Sequence, residues 1–249
     1  MRKIWLSSIL LLSVASVFGQ FSTDKIHIRF GYNLHNVHAK RFNTLIDEFN
    51  NSRYPHVTAE NLGNVNWMHG FVGGVNYAFR EDMELVAVLK SRRQYNEAPY
   101  ADYDFIRSYL FRQHTLEVGV NMVLKDERMF SHHVGAGVML GVLGVFTGWD
   151  ESPGYEGSRE MLNIDHTGVI GISLSYEARM KLHKHLRVFF RPVAQYALNS
   201  HVRKLTDFFD PQFVDGELSY APGLDPKYEN GSLSGLGIEG GLLFLLPTF

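Results

Sequence analysis

Four histidines stand in two close pairs, His132 with His133 and His183 with His185. Paired imidazoles on facing turns could hold zinc or another divalent ion. No cysteine accompanies them and no ligand spacing is diagnostic, so solvated turn histidines are the plainer reading and no metal is assigned. A second group, Ser108, His114, Asp102, Asp104 and His166, has the residue types of a nucleophile, a base and an acid. Neither a nucleophile elbow nor a metalloprotease helix surrounds them, so no catalytic residue is assigned either. Gly235, Gly237 and Gly240 match G-x-G-x-x-G, but only nine residues follow, too few for the helix, strand and ribose-binding acid of a dinucleotide site. No cofactor is expected; in a strand these glycines would relieve crowding. Gly137 and Gly141 likewise have the spacing of a helix-pairing motif in a run too short to span a membrane as a helix. The remaining chemistry is a set of charges at alternate positions: Arg29, Glu84, Lys90, Glu117, Glu177, Arg179, Arg187, Arg191 and Glu239.

That alternation belongs to the elements carrying the charges. Over 115–124 the even positions Leu116, Val118, Val120, Met122 and Leu124 are apolar, while Thr115, Glu117, Gly119 and Asn121 are polar or tiny. Side chains in a strand alternate with period two, so this segment has an apolar face and a polar or small face. The same pattern predicts strands near 25–33, 64–79, 83–92, 106–124, 132–146, 167–182, 186–198 and 233–246. Over 39–50 the period changes: Phe42, Leu45, Ile46 and Phe49 recur at helical spacing, which predicts a short amphipathic helix within a long first loop. Pro192 falls inside the seventh strand, where it removes a ladder donor, and a bulge is expected there.

Eight strands with long connections after the odd ones and short ones after the even ones form an up-and-down barrel. Apolar faces of nine or ten residues match the length at which a tilted strand crosses a bilayer. The expected fold is therefore an all-β, eight-stranded antiparallel transmembrane β-barrel with four long extracellular loops and short periplasmic turns. The mean hydropathy of −0.13 is too low for a helical membrane protein. It is ordinary for a barrel in which alternate residues face lipid. Arg2 and Lys3 precede an apolar run from Ile4 to Val17, which reads as a signal peptide over 1–19, leaving 20–249 as one barrel domain. The formal charge of −2 gives no indication of a nucleic-acid partner.

The chain resembles the small eight-stranded outer-membrane barrels, the group of the outer-membrane protein A barrel domain and its OmpX-like relatives in the form common among Bacteroidota. The resemblance is carried by the strand pattern and by the end of the chain, Gly240-Gly241-Leu242-Leu243-Phe244-Leu245-Leu246 with terminal Phe249. That ending is similar to the signal read by barrel-assembly machinery. The resemblance implies an outer-membrane location, outer-membrane lipid and the assembly machinery as partners, and a role as anchor, adhesin, small pore or lipid-modifying enzyme.

Eight strands leave an interior just wide enough for side chains. The mixed inward charges are therefore expected to satisfy one another as a structural plug. A narrow pore and a rim-sited hydrolase or acyltransferase acting on lipid or peptide are the alternatives to a non-enzymatic structural or surface-binding role. The longest loop, 199–231, interleaves Phe208, Phe209, Phe213, Tyr220 and Tyr228 with aspartates. Such a mixture suits a surface that contacts an extracellular ligand or protein.

Overall fold

The computed structural model describes residues 25–39, 60–99, 106–150, 162–199 and 233–246, together with 43, 46, 47 and 50. Eight strands follow one another: β1 Ile26–His38, β2 Trp67–Arg80, β3 Met83–Pro99, β4 Ile106–Asp126, β5 Phe130–Asp150, β6 Leu162–His183, β7 Leu186–Asn199 and β8 Ser234–Leu245. Each pairs antiparallel with its sequence neighbours, and β8 returns to β1 from His27↔Leu245 through His38↔Ser234, so the sheet closes into a barrel. Closure leaves no unpaired edge strand, so the backbone groups of the wall are paired between neighbouring strands except at local irregularities.

The two faces of this wall are the reverse of a water-soluble protein's. Outward positions carry large apolar side chains exposed to the surroundings, among them Phe30 at 59 %, Phe71 at 62 %, Leu89 at 66 % and Leu236 at 68 %. Inward positions bury charges: Arg29, Lys90, Glu177 and Arg191 are each 1–2 % exposed. A contiguous apolar exterior of this kind suits hydrocarbon rather than water.

Several strands run longer than the apolar pattern indicates. β3 continues from Arg92 through Pro99, pairing Gln94↔Phe111 and Pro99↔Ile106, so the connection to β4 narrows to 100–105. β5 and β6 likewise extend beyond the apolar segments to Asp150 and back from Leu162. Backbone pairing does not require apolar side chains, and above the lipid-facing belt the alternation signal fades while the ladder continues. Short turns at Glu81-Asp82 and Lys184-His185 join the strands at the opposite end. Register shifts between Ala78 and Arg80, between Val123 and Lys125 and between Lys181 and His183 mark that same end.

Pro192 causes no bulge, contrary to the expectation. Ser175↔Val193 and Ala178↔Phe190 keep one offset, and the β8 ladder runs unbroken through Pro192↔Ile238. Only the β6 pairs opposite Arg191 and Pro192 are missing, so the absent N–H is accommodated by a local gap in one ladder without a slip of register.

Asn43, Ile46, Asp47 and Asn50 are helical, within the segment read as a loop helix. The other residues of 40–49, the leader at 1–19, the loop aromatics Phe208, Phe209, Phe213, Tyr220 and Tyr228, and the terminal 247–249 lie outside the described residues.

Candidate functional site

The inward charges are brought together by topology rather than by sequence proximity. Near the short-turn end Glu84 of β3 receives both Nη atoms of Arg179 of β6, at 2.7 and 2.6 Å, and also accepts from Asn76 at 3.1 Å. The same Arg179 binds Glu177 through Nε at 2.5 Å, and Glu177 in turn holds Arg29 of β1 at 2.5 Å. Arg29 also lies over the ring of Phe189, 4.4 Å from its centroid. One layer further out, Arg191 of β7 bridges Glu117 of β4 at 2.5 Å and Glu239 of β8 at 2.9 Å, and Lys90 of β3 bridges the same two carboxylates at 2.5 Å each. Arg191 Nε stands 3.8 Å from Glu177 and links the two layers. Eight of the nine charges noted in the sequence thus form one buried chain of ion pairs across the lumen. Arg187 is half-buried toward the short-turn end.

Arg92 belongs to this interior as well, with 2 % exposure, although it was not among those charges. Its Nη2 donates to Gln195 at 2.8 Å and its Nη1 to Gln113 at 3.5 Å, so it is held by neutral amides. The signal for it was present: Arg92 has the parity of Glu84 and Lys90 on the same strand. His27, His35 and His133 also point inward and are buried. Lumen glycines make room for this crowd. A Cβ on Gly237 would run into the His35 ring and one on Gly135 into the Asn121 amide, whereas Gly240 faces away from the lumen.

Above the polar layers the interior becomes apolar. Val37, Met68, Tyr109, Phe111, Leu143, Val145 and Val169 from the wall pack with Ile46, Leu62 and Val65 of the first connection. The described residues of the first connection therefore pack into the mouth at the end with the long connections, and amides hold them there. Asn43 Nδ2 donates to Val65 O at 3.1 Å while Val65 N–H donates back to Asn43 Oδ1 at 2.8 Å. Asn50 does the same with Leu62, at 3.0 Å in both directions. Two asparagines seven residues apart lie two turns apart on a helix, so they present matching amides to an extended chain. From the wall, Gln94 Nε2 donates to Asn64 O and its Oε1 accepts from the N–H groups of Asn66 and Trp67. Asn96 and Tyr109 both donate to Gly63 O. A polar cleft of about 340 Å³ remains beside this cap, between Asn36, His38, Asn43, Asp47 and Asn66.

The other chemical candidates are dispersed. His132 faces outward with its Nδ1 2.5 Å from the Tyr176 hydroxyl, whereas His133 faces the lumen and meets Ser131 Oγ at 3.0 Å. His183 and His185 have ring centroids 6.1 Å apart. Among the described residues no group of three or more His, Asp or Glu is placed to hold a metal ion. Ser108 and His114 lie six positions apart on β4, about 20 Å at strand rise, beyond hydrogen-bond reach. Ser108 pairs with Gly148 and His166 with Gly144, leaving about 13 Å of strand between their levels. Asp102 and Asp104 lie outside the described residues.

No family model matches the sequence. No curated protein matches it either. Among solved structures the chain is similar to the attachment invasion locus protein Ail of Yersinia pestis in complex with the heparin analogue sucrose octasulfate, with 10 % identity and a TM-score of 0.44 over 88 % of this chain and 96 % of that one. It is also similar to Ail without that ligand, at 10 % identity and 0.41 over the same shares. The translocator domain of the autotransporter NalP from Neisseria meningitidis follows at 11 % identity and 0.21, over 97 % of this chain and 94 % of that one.

Proposed function

We propose that the chain is a non-enzymatic outer-membrane β-barrel, exported by its leader, that presents its long connections outside the cell for a structural or surface-binding role. The observation that carries this reading is the inversion of the barrel: an apolar exterior around a lumen filled by interlocked buried ion pairs. An exterior of exposed Phe, Leu and Ile is stable only in lipid. A lumen in which Arg191 and Lys90 are each clamped between Glu117 and Glu239 serves to hold the wall together rather than to admit solutes.

Cell fractionation and gel mobility test this reading. The protein should sediment with outer membranes and migrate faster unheated than boiled, because a closed barrel resists detergent until heated. Recovery in the soluble periplasmic fraction would overturn it.

A further inference from the structure

On the outward face a lateral row of basic side chains borders the apolar belt at the end with the long connections. The register places His69 of β2 opposite Arg93 of β3, Arg93 opposite Arg112 of β4, Arg112 opposite Gly144 of β5, and Gly144 opposite His166 of β6. His114 lies two positions from Arg112 on the same face. Arg93, Arg112, His114 and His166 are exposed. Below Arg93 and Arg112 come the paired Ser91 and His114 and then exposed Leu89 and Leu116, with exposed Phe71, Val142 and Ile170 on the neighbouring strands; just beyond the row stand the interfacial aromatics Trp67 and Tyr95.

Two guanidinium groups on directly opposed strand positions repel one another, since paired residues stand only about 5 Å apart. Inside the lumen Arg29, Arg179 and Arg191 are each paired with a carboxylate; among the described residues neither Arg93 nor Arg112 has an ion-pair partner. The nearest acid on that face of β3, Glu97, accepts from the Tyr95 hydroxyl at 2.9 Å. Arg112 is held over the Phe146 ring, 5.4 Å from its centroid, and His166 meets that ring edge-on at 5.9 Å. With strands tilted about 40° and spaced about 4.8 Å, Arg93 and Arg112 differ in height by only about 3 Å. Both forks can therefore reach one tetrahedral oxyanion.

We infer that this row is a binding site for the phosphorylated headgroup of an outer-leaflet lipid, whose acyl chains lie down the Leu89, Leu116 and Val142 surface. The site rests on the outer-membrane reading above. A soluble anion would gain nothing from the apolar wall that begins below the guanidinium pair at Leu89 and Leu116, whereas a lipid phosphate is delivered at that depth by its own chains.

The test is native mass spectrometry of the detergent-purified barrel after incubation with lipid A, with the same lipid after enzymatic dephosphorylation, and with inorganic phosphate. Wild type should retain phosphorylated lipid A, and the R93Q/R112Q variant should retain it at least tenfold less. R93K/R112K should retain an intermediate amount, and R80Q, at the opposite end of β2, should match wild type. Equal retention by wild type and R93Q/R112Q, equal retention of the dephosphorylated lipid, or displacement by millimolar inorganic phosphate would each overturn the site. Unheated gel mobility of every variant separates this outcome from failure of the barrel itself: variants that fold and insert into vesicles leave the outer-membrane reading intact whatever they retain.

Discussion

Glu177 illustrates how much a single residue can carry in a lumen packed with buried charges. It accepts from Arg29 and Arg179 and stands 3.8 Å from Arg191 Nε, so its removal leaves two buried guanidinium groups short of a partner. Stranding a buried charge costs about 3–5 kcal/mol, and E177A should lower unfolding stability by that order in urea titrations of the folded barrel. An unchanged midpoint would show that the pairs contribute nothing. Arg92 should behave differently, because its partners are the neutral amides of Gln113 and Gln195. For R92M the expected loss is only about 1–3 kcal/mol, the cost of unsatisfied amides rather than of an unpaired ion. Parity in the sequence was enough to place Glu177 and Arg179 inside. It could not show which cation each carboxylate would meet, because Arg29 and Glu177 are far apart in the chain and meet only when the barrel closes.

At the level of elements, the apolar pattern marked where the wall faces lipid and stopped there. β3 beyond Arg92 lacks that pattern, with Gln94, Asn96 and Glu97 in succession, and reads as a polar connection; its ladder to β4 makes it strand. The helical spacing of 39–50 was legible, but its destination was not, since the clamp uses Asn43 and Asn50 rather than the apolar residues that set the period. This arrangement gives a specific expectation for N50A. Losing both bonds to Leu62 should cost about 1–3 kcal/mol of local stability and speed hydrogen exchange of the Leu62 amide about 10- to 100-fold. The Val86 and Val88 amides in the wall should be unaffected. Exchange at Leu62 unchanged from wild type would mean that packing of Ile46 and Val65 holds the cap without the amides.

At the scale of the whole molecule, sequence alternation foreshadowed the closed barrel and its strand order, whereas the division of the lumen into layers emerges only from closure. Solute passage would have to cross two unlike obstructions. The first is the charged chain from Arg29 to Glu239, and the second is the apolar cap in which Ile46, Tyr109 and Phe111 are almost wholly buried. A hydrated ion meets compensated charge in one and desolvation in the other, so removing either alone leaves a barrier. Wild type in planar bilayers should therefore show no steady conductance. E117A, which loosens the charged layer, and I46D, which disrupts the cap, should each remain silent provided unheated gel mobility shows a folded barrel. Stable, uniform conductance steps from wild type would refute the two-layer seal and favour a narrow pore; steps from I46D alone would show that the cap is the only seal and that the ion-pair chain leaves a path between its members.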